Sequence, residues 1–162
     1  MRNSFFPLFF LMIVSACADQ AADQNSVKIA EREAAEAVFR FMFNANGSML
    51  KRDAASYCIG FGEMNLADPD NGFIQEFDDI SPTVKVASQC GFDDYIVTDR
   101  HSGKASLIFR LSSGKCDTID HCRFRGGYLE ANLSASSEGY LADRVNGIWS
   151  IRVDPDSPGW IS

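Results

Sequence analysis

The apolar residues of this 162-residue chain favour helical spacing before Pro82 and a period of two after it, and that shift limits what the chain can fold into. From Val27 to Asn44, the positions Val27, Ala30, Ala34, Ala37, Val38 and Phe41 recur at helical spacing. Lys28, Glu31, Arg32 and Glu36 populate the opposite face, as in an amphipathic helix. Asn25 or Ser26 can cap its start, and Gly47 lies just past its end. The tract Asp68-Pro69-Asp70-Asn71-Gly72 reads as a turn opening a second, shorter helix. There Phe73, Ile74, Phe77 and Ile80 share one stripe, and Ser81-Pro82 stops it. Tyr57–Phe61 reads as a short strand or a tight apolar segment, with Gly60 and Gly62 as punctuation. Beyond the second helix the period becomes two. Candidate strands are Thr83–Ala87, Tyr95–Asp99, Ala105–Leu111, Arg123–Leu133, Glu138–Val145 and Ile148–Val153. Asn146-Gly147 suits a type I′ hairpin, Ser102-Gly103 marks a turn, and Gly126-Gly127 suggests a bulge or bend. Helices followed by strands predict an α+β domain. The long N-terminal helix and the short second one should pack on a curved, mostly antiparallel sheet of about four to six strands.

The N-terminus follows the grammar of a secretory signal. Arg2 precedes an apolar run from Phe5 to Val14, broken only by Pro7, and small residues lead into Cys17. That run is too short to span a bilayer, which takes about 20 apolar residues. The tetrapeptide Val14-Ser15-Ala16-Cys17 resembles the lipobox of bacterial lipoproteins. The resemblance implies removal of residues 1–16, a diacylglyceryl thioether on Cys17 and an acylated, palmitate-type new N-terminus. An ordinary cleaved signal cut at Ala16 or Ala18 is the competing reading. The position of the cysteine at the end of the apolar run, with a polar tract directly after it, favours lipidation. Ala18, where an Asp would imply retention, leans the assignment toward the outer membrane, facing the periplasm, over the inner membrane. Residues 17–26 then comprise the lipidated cysteine and a short polar tether. At about 5–6 Å × √n for a flexible coil, the tether holds a single domain, residues 27–162, within roughly 20 Å of the membrane.

Without residues 1–16 the chain keeps 146 residues, enough for one domain with a real core. It retains all 22 acidic and 14 of the 15 basic residues, a net charge of −8. Such a surface repels nucleic acid and anionic headgroups. Arg123 and Arg125, which alternate along an expected strand, are too few in sequence to make a basic patch. Four cysteines remain once Cys17 carries lipid. An even number in an oxidising compartment points to two disulfides, although four cysteines allow three connectivities. The polar stretch Lys115–Cys122 reads as a loop clipped by Cys116–Cys122, which leaves Cys58–Cys90 as the longer tie. A metal site of Cys116, His121 and Cys122, with His101, is disfavoured because C-x₅-C matches none of the usual zinc spacings. No C-x-x-C redox motif is present.

Other candidate sites give way to plainer readings. Asp68, Asp70, Asn71 and Gly72 hint at a calcium loop, but with Gly72 at its sixth position, Ala67 and Pro69 would fall on ligand places. The pairs Asp78-Asp79 and Asp93-Asp94 are neighbours that point apart, so solvated acidic loops are expected. His101 lies in a hydrophilic turn and His121 inside the cysteine clip. No nucleophile–base spacing stands out, and neither metal nor cofactor is expected.

The long first helix, the expected curved sheet and the closing hairpin Val145-Asn146-Gly147-Ile148-Trp149-Ser150-Ile151 resemble cystatin-like folds, including the cone-shaped nuclear-transport-factor-like domains. Tyr57-Cys58-Ile59-Gly60, Val86-Ala87-Ser88-Gln89-Cys90 and Gly126-Gly127-Tyr128 are similar to uncharacterised bacterial secreted domains. Two function classes follow. The favoured one is a non-catalytic, lipid-anchored envelope protein with a binding or structural role and an envelope protein as partner. The alternative is a pocketed cystatin-like domain that binds a small ligand or acts as a small enzyme, with Tyr57, Tyr95, Tyr128 and Asp143 as pocket liners. An inhibitor of hydrolases would rest on fold analogy alone. We predict that Cys17→Ser moves the protein from the membrane to the soluble fraction of fractionated cells. Unchanged membrane partition after an alkaline wash would rule out lipid attachment.

Overall fold

The computed structural model describes residues 14–132 and 134–161, with side chains from residue 23 onward, Ser113 excepted. Residues 1–13 of the expected leader and the side chain of Cys17 lie outside that description. The first helix, α1, spans Val14–Ala45, so it starts earlier than expected. Asn25 and Ser26 are mid-helix, and the tract expected to be a flexible tether continues the helix. Ala18, Ala21 and Ala22 give that tract good intrinsic propensity, which outweighs its lack of an apolar stripe. Residues 23–26 are solvent-exposed, and packing begins near Val27. At the other end the Asn46 amide donates to the carbonyls of Met42 (3.2 Å) and Phe43 (2.9 Å), which satisfies part of the open last turn.

The buried face of α1 is Ala30, Ala34, Ala35, Val38, Phe39, Met42 and Phe43. Ala37 and Phe41 flank it half-buried, so the true stripe is rotated from the one read off the sequence. Phe39 is its centre: its ring lies within 6.4 Å of the rings of Phe43, Phe61, Phe73 and Phe77. Phe73 and Phe77 come from the second helix, α2 (Asn71–Gln75), and the turn after it. Asp70 caps α2 by accepting from the Phe73 amide at 2.8 Å, as the turn chemistry predicts. The Ser81–Pro82 bond that follows is cis.

The remaining elements are nine strands among the described residues, more than the four to six expected. They are β1 (Tyr57–Phe61), β2 (Val84–Val86), β3 (Cys90–Asp93), β4 (Ile96–Asp99), β5 (Leu107–Thr118), β6 (His121–Ala131), β7 (Ser134–Val145), β8 (Ile148–Val153) and β9 (Trp160–Ile161). The sheet is mostly antiparallel, but β1 runs parallel to both β2 and β5. From β5 the order continues β6, β7, β8. β9 pairs with the start of β7, and β4 meets the end of β6 through Ile96 and Ala131. The unexpected strands are β3 and β9. Both are short, and Gly91 and Asp93, residue types depleted in strands, weaken the signal of β3. The Lys115–Cys122 stretch is not a loop. It is the far end of a β5–β6 hairpin, with Cys116 directly opposite Cys122.

Alternation along the central strands gives the sheet two inner faces. Tyr57, Ile59, Leu107, Phe109, Leu111 and Phe124 face α1 in the main core. Cys58, Ile108 and Val97 form a second, small core with Cys90, where the β3–β4 hairpin folds across the other side. The Cys58–Cys90 disulfide fastens that hairpin to β1, and Cys116–Cys122 staples the β5–β6 tip; these are the pairings expected. Gly126-Gly127 marks a close crossing. A Cβ on Gly127 would sit 1.8 Å from the Ser136 carbonyl oxygen, so only glycine lets β6 and β7 pass there. Asn146 (φ 53°) and Gly147 (φ 79°) both adopt the left-handed conformation that a type I′ turn requires. Phe39→Ala should cost about 3–5 kcal/mol in chemical denaturation, because it empties the centre of the ring cluster. Ile29→Ala, on the exposed side of α1, should cost well under 1 kcal/mol.

Candidate functional site

Two constellations of chemically capable side chains and one apolar groove stand out among the described residues. The first is buried. Asp99, at the end of β4, is 1% exposed. Its Oδ1 accepts from the backbone amides of His101 (2.9 Å) and Ser102 (3.0 Å) in the Asp99–Lys104 turn, where Gly103 takes a φ of 66°. Its Oδ2 accepts from Ser56 Oγ at 3.0 Å and from Lys85 Nζ. Ser56 and Ser106 are fully buried and share a 3.0 Å hydrogen bond. The Lys85 ammonium, first, and the Ser102 amide hold the Asp99 carboxyl far below the ordinary carboxylate range. A Ser, a Lys and an Asp therefore converge here, but no substrate can reach Ser56, and every polar atom is already partnered. The cluster is a structural ion pair.

The second constellation lies on the face of the sheet away from α1. His121 Nδ1 is 2.6 Å from Asp143 Oδ1, and Arg152 donates to Asp143 Oδ2 at 3.3 Å. The contact with His121, then Arg152, lowers the Asp143 carboxyl below its usual range. Register puts Ser150 directly opposite Asp143 on its other side. A Ser, Asp and His thus share one row, but in the wrong order. Acyl transfer needs the imidazole between serine and carboxylate, whereas here the aspartate is central and Ser150 is two strands, about 9–10 Å, from His121.

The third is a groove of about 530 Å³ between the middle of α1 (residues 28–35), the start of α2 and the middle of β5. Phe61, Phe73, Leu111, Phe124 and Ala35 make it apolar, with Lys28 and Glu31 at the rim. At one end Arg32 pairs with Asp70 at 2.8 Å, and its guanidinium lies 5.0 Å from the centre of the Phe73 ring. Two backbone features shape the groove. A bulge between Leu111 and Ser113 bends β5 beside it. Gly114 makes room for Phe124, whose ring would lie 2.5 Å from any Cβ there. The groove contains no histidine or tyrosine and no nucleophile paired with a base.

The residues named from sequence do not assemble into one site. Tyr57 is buried and donates to the Lys51 carbonyl, Tyr95 is 74% exposed on the β3–β4 hairpin, and Tyr128 is half-buried near the end of α1. Burial raises the hydroxyl pKa of Tyr57 and of Tyr128. Asp143 lies on the opposite side of the sheet from the groove. The acids of the suspected calcium loop have other partners: Asp70 caps α2 and binds Arg32, and Asp68 accepts from the Ser88 amide at 2.9 Å. Among the described residues, no three His, Cys, Asp or Glu side chains converge as a metal site. Asp99 was not foreseen, although an Asp beginning an Asp-x-x-Ser-Gly turn is a recognisable signal for a carboxylate that caps its own loop.

The depressed Asp99 carboxyl fixes the sign of one pH effect. Its stabilisation is present above the unfolded-state value of about 3.9 and disappears as pH falls below it. Asp99→Ala, which strands Lys85 and the turn amides, should cost about 3–5 kcal/mol at pH 7. Unfolding measured down to pH 3 should show a shallower acid dependence in that variant than in the parent. No protein-family model matches this chain, and neither the curated proteins nor the solved structures contain a match.

Proposed function

We propose that this chain is a lipid-anchored bacterial cell-envelope protein whose domain binds and does not catalyse. Its binding site is the groove between α1, α2 and β5, which receives an apolar group presented by another envelope component. One observation carries the reading. The chemically capable clusters, Lys85–Asp99–Ser56 and His121–Asp143–Arg152, are closed on themselves, whereas the aromatic-floored groove is open to solvent. The lipobox-like Val14-Ser15-Ala16-Cys17 supports the anchor, and the two disulfides fit an oxidising compartment. Among the described residues no helix is long and apolar enough to cross a membrane. A second reading, a small free ligand in the groove, is favoured by its volume alone, which falls within the roughly 300–1,000 Å³ of small-molecule sites.

A photo-crosslinking amino acid placed at position 28 or 31, on the groove rim, distinguishes these readings in intact cells. We expect an adduct of macromolecular mass at both positions and none at position 23, which is exposed on α1 before the groove. A low-mass adduct would favour the free ligand. Equal labelling at position 23, or none at 28 and 31, would remove the groove from the proposal.

A further inference from the structure

The sheet register lines up cations that sequence order keeps apart. Lys115 on β5 lies directly opposite Arg123 on β6; Arg123 is opposite Leu141 on β7, and Leu141 is opposite Arg152 on β8. All point to the face of the sheet away from α1, and Arg125 follows two residues further along β6 on the same face. Arg123 and Arg152 are 63% and 55% exposed. Lys115 is exposed and has no hydrogen-bond or ion-pair partner among the described residues. Like charges placed directly opposite each other on a sheet oppose folding. The nearby anions compensate only in part: Asp117 is 3.8 Å from Arg123, Asp143 is shared between His121 and Arg152, and Asp154 lies on the same face beside Gly139, across from Arg125. The pair Arg123 and Arg125, too small a cluster in sequence, is therefore extended across four neighbouring strands, a span of roughly 14 Å. This occurs in a chain whose net charge is −7.

We propose that this face binds a linear carboxylated polysaccharide. Charge complementarity selects a polyanion. The one apolar member of the row, Leu141, is 8% exposed, so the row lacks the apolar centre of a protein–protein interface and offers no ring on which a base could stack. The exposed Ser150 hydroxyl lies beside the row, suited to sugar hydroxyls. The proposal rests on sheet register and is independent of the groove and of the anchor.

The test uses the full chain, oxidised, in a non-ionic detergent, with immobilised oligogalacturonate as probe. Binding should weaken as salt rises, and Arg123→Gln with Arg152→Gln should lower affinity roughly tenfold or more. The double variant should melt no lower than the parent, because repulsion in the row is relieved. Lys115→Gln, which removes no described contact, should give a smaller loss in the same direction. Equal binding of neutral dextran, unchanged affinity in the double variant, or a lowered melting temperature accompanying the loss would each overturn the proposal. So would capture of phosphatidylglycerol vesicles without oligogalacturonate, since that would mark a headgroup surface.

Discussion

The packing of aromatic rings beneath α1 is the contact from which the rest of the architecture follows. Phe39 and Phe43 stand one helical turn apart and reach down onto Phe109 and Tyr57 in the sheet and sideways onto Phe73 and Phe77. Four separate chain segments thus share one apolar volume. Edge-to-face contacts at 4.9–6.3 Å add directional preference to the area they bury. Because these rings fix where α2 sits, they also leave the gap between α2 and β5 that becomes the groove. Arg32 and Arg40 lie over the outer faces of Phe73 and Phe77, so the cluster is closed by cations whose charges reach Asp70 and Asp79.

The opposite side of the sheet is held by different means. Its small core of Val97, Ile108 and two half-cystines is too limited to fix the β3–β4 hairpin through apolar area alone. The Cys58–Cys90 bond and the saturated Asp99 network supply what hydrophobic burial does not. One acts by restricting the unfolded chain, the other by making removal of any single partner costly. Beyond this hairpin only Asp154 and Ser157, packed beside Gly139, lie against the sheet among the described residues, and next to them the row of Lys115, Arg123 and Arg152 meets solvent.

Legibility from sequence followed the range of the interactions. Elements set by local rules were readable: Tyr57–Phe61 as a strand, the Asp70 cap, the Asn146-Gly147 turn and the stripe of Phe73 and Phe77. Both disulfides were readable too, because the cysteine count left few pairings. What failed depends on contacts between distant positions. The helical stripe was rotated because the alanines at 35 and 37 look alike until the sheet selects one of them. Lys115–Cys122 was taken for a loop because charged residues on one side of an exposed hairpin mimic a polar linker. The groove, the Asp99 network and the cationic row each draw on three or more elements, and no single window of residues contains them.

The unbroken course of α1 from Val14 has a mechanical consequence. A coil between Cys17 and the domain would act as a leash, letting the globule tumble and present any side to its surroundings. A helical rod of about 15 Å between Cys17 and Val27, at 1.5 Å per residue, would instead couple the heading of the whole body to any attachment made at Cys17. For a chain fastened at Cys17, the bearing of that rod decides which neighbours each face can meet.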